Sequence, residues 1–299
     1  MHNHLSLSID IGGTSAKYAY VTADGRLMEK NSFSTSGLKT LDEFYHQLLP
    51  VIDKAAACGA VNVGLSCPGF IHSDGRCMGG VENLPYLEGV DIPAFLRQRS
   101  PSLRVSIMND GTAAAMGEYW MGSGQGSRVL LCITLGTGIG SALILDGRPF
   151  PGSHFQSGEI GYSDYSSSGE YLEIDYSTLG ILRRASELTG DTLDGFAFIR
   201  RIRDNDPCCL QLLEDWTARL GRILANNILM LDPDRVVIGG GISRQSDILI
   251  PLLEKQTNRQ LPPQYRQLAE IVPARFANDA ALFGAVKPFY ETVGEASAN

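Results

Sequence analysis

The sequence predicts an α/β protein built from two duplicated domains. Strand-like runs alternate with helix-like ones along the chain, the signature of that class. A block of strand, Gly/Thr turn, strand and Asp-Gly-Arg turn occurs at Leu5–Arg26 and again at Arg128–Arg148. The 299 residues suit two domains of roughly 100–200 residues each.

The opening run, Leu5–Asp10, alternates apolar and polar side chains and breaks at Gly12-Gly13. Ala16–Thr22 is a second strand, Asp24-Gly25 a hairpin turn, and a third strand follows from about Leu27. Leu41–Cys58 carries apolar residues at helical spacing. Val61–Leu65 and Val105–Met108 read as strands, the second entering Asn109-Asp110-Gly111 and a helix over Thr112–Met121. Past the middle, Arg128–Leu135 and Ile139–Leu145 are strands separated by Gly136-Thr137-Gly138. Trp216–Leu231 is a long helix stopped by Asp232-Pro233. Arg235–Ile238 is a strand running into Gly239-Gly240-Gly241, with a helix after Ser243. The period of the repeat is too long for a solenoid, and two similar domains facing each other across a cleft explain it better. The expected division is 1–110 and 111–278, with a C-terminal helix at about 279–293 packing back on the first domain and a frayed tail after Val293.

Composition narrows the function. The formal charge is −8 with 43% hydrophobic and 19% charged residues, which gives no electrostatic support for nucleic-acid or membrane partners. No signal peptide is expected at the N-terminus, and no apolar run approaches the roughly 20 residues that span a bilayer. The six cysteines form no CxxC pair, so reduced thiols in a cytoplasmic protein are expected. The five histidines show no metal-ligand spacing, and His154 reads as a loop residue.

Several motifs carry chemistry. In Asp10-Ile-Gly12-Gly13-Thr14, with Lys17 just beyond, small residues let backbone amides approach a phosphate. Asp10 at the strand end could hold Mg²⁺ through water. Read alone, the segment is equally a plain glycine-rich hairpin. Gly136-Thr137-Gly138 repeats it, and because a strand follows, it is no dinucleotide fingerprint. Gly240 and Gly241 permit close approach of a flat ring or phosphate, although turns of this kind often carry glycine. Asp110 between strand and helix is either a helix cap or a general base, a role worth about 10²–10⁴ in rate. Glu159 and Glu173, in polar stretches, are surface residues or acceptors for sugar hydroxyls.

Taken together, Asp10–Lys17, Asn109-Asp110-Gly-Thr-Ala-Ala-Ala-Met-Gly-Glu118, Leu135–Gly140, Gly158-Glu159-Ile-Gly161 and Gly239–Ile242 resemble the ROK family (repressors, open reading frames, kinases) in the family's order over nearly the whole chain. The resemblance implies an actin/hexokinase-type, ribonuclease H-like fold and an ATP- and Mg²⁺-dependent kinase acting on a hexose or hexoside. Asp110 would be the base. Asn109, Glu159 and Glu173 would bind sugar hydroxyls with Asn83 and Gly69. Gly12–Thr14 and Gly136–Gly138 would hold phosphates, and Gly240 and Gly241 would border the adenosine. A homodimer is expected.

One departure stands out. Family members commonly carry Gly-His and a cysteine-rich zinc loop where this chain has Gly161-Tyr162, a short Cys-free stretch from Ser163 to Glu170, and Tyr171. No zinc site is therefore expected. ROK kinases without that site include β-glucoside kinases and some N-acetylmannosamine kinases. Tyr162 could replace the histidine through its hydroxyl or by stacking on a sugar face. An opened anomeric end could admit a second ring on Tyr162 or Tyr171. A family repressor would need a helix-turn-helix ahead of the first strand, and none is expected here. A non-catalytic sugar sensor is disfavoured by the retention of Asp110 and both phosphate turns. Among glucose, a β-glucoside, fructose and N-acetylmannosamine, the first two are favoured.

Overall fold

A computed structural model describes residues 5–165 and 169–290. The chain forms two compact units. The first comprises the chain up to Met121, residues 151–157 and the chain from Asp279 onward; the second comprises Gly122–Phe150 and Gly158–Asn278.

The first unit opens with the expected meander: β1 (Leu5–Ile11), β2 (Ser15–Thr22) and β3 (Leu27–Ser34). It continues through α1 (Leu41–Ala57), β4 (Asn62–Cys67), α2 (Ile92–Arg99), β5 (Arg104–Asn109) and α3 (Asp110–Met121). The sheet order is β3-β2-β1-β4-β5. Neighbours in the meander are antiparallel, whereas β1, β4 and β5 run parallel. Helix α1 starts where Thr40 and Glu43 form a reciprocal capping box, which satisfies amides that have no partner inside the helix.

Alternation along β1 sorts the two faces of this sheet. Leu7, Ile9 and Ile11 join Phe44, Leu48 and Ile52 of α1 in the core. Ser6 and Ser8 point the other way and are nonetheless fully buried. An alternating strand usually has one wet face. Here that face is covered too, and its residues are small so that backbone can come close: Ser106 Oγ donates to the Ala285 carbonyl at 2.9 Å, and a Cβ at Gly64 would lie 2.3 Å from the same oxygen.

The second unit repeats the plan with β6 (Val129–Leu135), β7 (Ile139–Leu145) and β8 (Arg148–Pro149). Four helices follow: α4 (Leu172–Tyr176), α5 (Thr178–Thr189), α6 (Gly195–Arg203) and α7 (Pro207–Leu231). Then come β9 (Arg235–Gly240), α8 (Ser246–Gln260) and β10 (Glu270–Pro273). The order is β8-β7-β6-β9-β10, the counterpart of the first sheet, with β9 and β10 parallel to β6. The duplication read from the turns is thus a duplication of whole sheets. Trp216, fully buried, anchors the core of this unit and donates its indole N–H to the Tyr176 carbonyl at 2.8 Å.

Two boundaries differ from the sequence reading. Helix α7 begins at Pro207 rather than near Trp216, because the Asp206 carboxylate accepts from the Cys208 and Cys209 amides and Pro207 occupies the first turn. The compact units part at Met121 rather than at Asp110. Helix α3 stays with the first unit because α9 (Ala280–Gly284) lies against it. A Cβ at Gly117 would sit 2.0 Å from the Ala280 carbonyl oxygen, and one at Gly284 would sit 1.8 Å from that of Ala113. Helix α9 and a short turn at Lys287–Phe289 both contact α3. Residues 291–293 of the expected C-terminal helix, and the tail, lie outside the described residues.

Among the described residues, no helix is long and apolar enough to cross a membrane, and the six cysteines are free.

Candidate active site

In the first unit the carboxyl ends of β1, β4 and β5 line up. Asp10 pairs with Ser66, Ser66 with Met108, and Cys67 with Asn109. Parallel α/β sheets place ligands at these ends. Asp10 is therefore a neighbour of Asn109-Asp110 although a hundred residues separate them in sequence.

Asp10 accepts a hydrogen bond from Ser66 Oγ at 2.7 Å, and Lys17 Nζ lies 3.9 Å from its other oxygen. Burial pushes its carboxyl above the usual range despite both neighbours, and the Asp279 charge adds to the rise. Asp110 also lies above its ordinary value, first through desolvation and then through repulsion from Asp10, against hydrogen bonds from the Gly111 amide (2.8 Å) and Asn109. The surface of Asp110 still touches water, while most of the volume around it is protein.

Asn109 is fixed on both sides of its amide. Its Nδ2 donates to the Gly69 carbonyl at 2.9 Å, and its Oδ1 caps α3 by accepting from the Thr112 amide at 3.1 Å. The capping role considered for Asp110 thus falls largely to Asn109, which leaves the Asp110 carboxylate at the helix start. Gly69 has φ +86° and a Cβ there would lie 2.2 Å from the Gly79 carbonyl, so only glycine fits. The Gly12–Thr14 turn is braced by Thr35, whose hydroxyl donates to the Gly12 carbonyl at 2.6 Å and whose amide donates to the Thr14 carbonyl at 3.1 Å. Asn83 lies directly against this turn: a Cβ at Gly13 would sit 2.9 Å from that of Asn83.

The second unit gathers the other residues named from sequence. Leu135 pairs with Gly240, so the Gly136-Thr137-Gly138 turn and Gly240-Gly241 stand side by side at the ends of β6 and β9. Gly240 has φ +93° and close backbone contact with Leu135. That contact accounts for the glycine, whereas Gly136 and Gly241 face open space. Glu173 in α4 accepts from the Ile139 amide at 3.3 Å. Its carboxylate lies where side chains at Gly138 and Gly161 would otherwise be, 2.6 and 3.0 Å from the respective Cβ positions. Both glycines therefore make room for Glu173. Glu159 is exposed one residue before the turn Ile160–Tyr162.

Several contributors were not read from the sequence. Ser66 and Asp279 act on Asp10, and Thr35 braces the first turn. A cavity of about 500 Å³ beside Thr137 and Gly138 is walled by Ile174, Leu179 and Arg183. Leu179 closes onto the turn by donating its amide to the Gly136 carbonyl at 3.2 Å.

The rings of Tyr162 and Tyr171 lie 5.0 Å apart, edge to face. Residues 166–168 of the intervening stretch lie outside the described residues. Among the described residues no cluster of His, Cys, Asp or Glu is arranged to hold a metal ion directly. Purified protein is expected to contain no stoichiometric zinc, and chelation should leave its thermal midpoint unchanged. Elemental analysis finding about one zinc per chain would contradict this.

Two mixed sheets of the same order, with acidic residues at the strand ends of the first and paired glycine turns in the second, define the actin/hexokinase-type fold. The chain belongs to the ROK family, whose sequence profile matches residues 6–290. It is 30% identical over 298 residues to N-acetylgalactosamine kinase AgaK of Shewanella sp. ANA-3, covering 92% of this chain and 95% of that one. It is 29% identical over 293 residues to a β-glucoside kinase of Klebsiella pneumoniae, covering 94% and 95%. The crystal structure of a ROK family protein from Streptococcus pneumoniae in complex with sucrose superposes with a TM-score of 0.85 at 26% identity, covering 97% of this chain and 99% of that one.

Proposed function

We propose that this protein is an ATP-dependent sugar kinase that transfers the γ-phosphoryl group to a hydroxyl of a hexose or hexoside, with Asp110 as general base. The observation that carries the reading is the convergence of Asp10, Asn109 and Asp110 at the carboxyl ends of β1 and β5, the two strands that flank β4, in a chain whose relatives named above are sugar kinases. A sugar hydroxyl is a poor nucleophile at neutral pH. Asp110 takes its proton as the oxygen attacks the γ-phosphorus and the bond to the bridging oxygen of ADP breaks. Asn109 holds the Gly69 loop and the start of α3 in place while the sugar binds. Gly12–Thr14 and Gly136–Gly138 offer backbone amides to phosphate, and the cavity beside Thr137 takes part of the nucleotide.

Mg²⁺ fits the first unit. Burial raises the Asp10 and Asp110 carboxyls; the Asp279 charge adds to the rise at Asp10 and the Asp10 charge to that at Asp110, and no direct protein cage exists among the described residues. Asp10 would hold the ion through water, as Mg²⁺ prefers. When bound, the ion neutralises charge on the transferred phosphates.

Asn83, Asn109, Asp110, Glu159 and Glu173 are short polar groups suited to the equatorial hydroxyls of a glucose-configured pyranose. The β-glucoside kinase relative and the sucrose-bound neighbour support a hexose or hexoside. AgaK makes an amino sugar the main rival. Comparing kcat/KM for glucose, cellobiose, fructose, N-acetylmannosamine and N-acetylgalactosamine tests this. Glucose or cellobiose should lead. An N-acetylated sugar leading by about tenfold, or ~1.4 kcal/mol in transition-state binding, would overturn the substrate assignment and leave the kinase intact.

A further inference from the structure

Beyond the site of the first sugar ring, the second unit carries a cluster of exposed aromatic rings. Tyr162, Tyr165 and Tyr171 are 47%, 55% and 43% exposed. Tyr171 is the centre of the cluster: Tyr162 meets it edge to face at 5.0 Å, and Tyr165 stacks on it at 5.3 Å with the ring planes 28° apart. Single surface aromatics need no explanation, but a contiguous patch marks a binding surface.

The patch is held in shape. Asp164 is clamped by Arg219 at 2.9 Å and Arg222 at 3.0 Å, and its carbonyl accepts from the Leu172 amide at 2.9 Å. Arg219 also donates to the Tyr165 carbonyl, and Tyr165 pairs with Tyr171 in an isolated β-bridge. A surface that only has to stay soluble needs no such bracing, whereas rings fixed before a ligand arrives lose little entropy on binding it.

Chain connectivity puts the cluster beside the two carboxylates assigned to the sugar. Tyr171 precedes α4, whose second residue is Glu173. Tyr162 closes the turn after Glu159 and donates its amide to the Glu159 carbonyl at 3.2 Å. We infer that Tyr162, Tyr165 and Tyr171 form a stacking subsite for the second ring of a β-linked glycoside whose first ring lies at Glu159 and Glu173; this rests on the sugar-kinase reading. A glucopyranosyl ring with equatorial hydroxyls offers flat faces of C–H groups to aromatic rings, and the phenolic hydroxyls reach the sugar hydroxyls at its rim. A β-linkage keeps the two rings extended, so the second reaches past the carboxylates onto the tyrosines.

The test is the ratio of kcat/KM for cellobiose to that for glucose in wild type, Tyr165→Ala and Tyr165→Phe, with the oligomeric state of each measured by light scattering. The alanine variant should lower the ratio about tenfold, a change of ~1.4 kcal/mol, and the phenylalanine variant, which keeps the ring, should hold it near the wild-type value. An unchanged ratio in Tyr165→Ala overturns the subsite, as does a wild type that phosphorylates glucose but not cellobiose. A variant that loses a dimer while keeping the ratio gives the patch to a second copy of the chain instead. A wild type that phosphorylates no sugar fails the kinase reading itself, and the subsite with it.

Discussion

Asp110→Asn is expected to lower kcat by about 10²–10⁴ while the dissociation constant of the sugar changes little. The amide keeps the shape and can still accept from the Gly111 amide, now 2.8 Å from Oδ1, but it cannot take the proton of the attacking hydroxyl. Wild-type activity should fall on the acid side as Asp110 becomes protonated, and that limb should lie above the ordinary carboxylate value because desolvation and the Asp10 charge raise the group. The variant should lose this limb from what activity remains. Stability should move the other way. A carboxyl whose folded value exceeds its unfolded value binds more protons when folded, so its contribution to stability falls as pH rises through that interval. At neutral pH the uncharged amide should therefore not lower the thermal midpoint. Turnover near wild type, measured by coupled ADP release, would remove Asp110 from the role. A collapse of the midpoint would mean that the loss of activity reports unfolding.

The second large effect comes from a residue with no chemistry. Gly284→Val should destabilise the protein by about 2–4 kcal/mol and lower the melting temperature by about 5–10 °C. The cause is the missing room between α3 and α9, where even a Cβ would lie 1.8 Å from the Ala113 carbonyl oxygen. The helices must separate, and α3 begins at Asp110, so activity should fall in the folded fraction as well. Gly195→Ala is the matched control. It lies at the start of α6 with nothing within 4 Å of the added carbon, and should be neutral or slightly stabilising. Equal melting temperatures for wild type and Gly284→Val would contradict the close packing of the two helices.

Much of the fold is legible in the sequence because its signals are local. The Gly12-Gly13 and Gly136–Gly138 breaks and the two Asp-Gly turns mark both meanders, and each break falls at the end of a strand pair. The early start of α7 is equally local: Asp206-Pro207 is a cap followed by a first-turn proline. What the sequence hides depends on distant contacts. Ser6 and Ser8 look like a solvent face, yet both are buried, and the distant helix α9 packs against their strand. The parting of the units at Met121 depends on glycines 117 and 284 meeting across 167 positions of chain.

The site divides in the same way. Asp10, Asn109 and Asp110 stand out because each ends an apolar strand, and the strand register then brings them together. Gly138 and Gly161 look like phosphate or turn glycines, yet each also makes room for Glu173, a reason visible only once α4 is placed. Tyr165 has no motif, and its meaning comes from the ring of Tyr171 beside it.

The central claim is that Asp10, Asn109 and Asp110 serve phosphoryl transfer from ATP to a sugar. Following the γ-phosphorus by ³¹P NMR with wild type, Mg²⁺-ATP and glucose or cellobiose tests it most directly. The account predicts a sugar phosphomonoester appearing in step with ADP, and neither forming at a comparable rate with Asp110→Asn. Inorganic phosphate as the only product, or ADP formation that does not depend on any sugar of the panel, would contradict it.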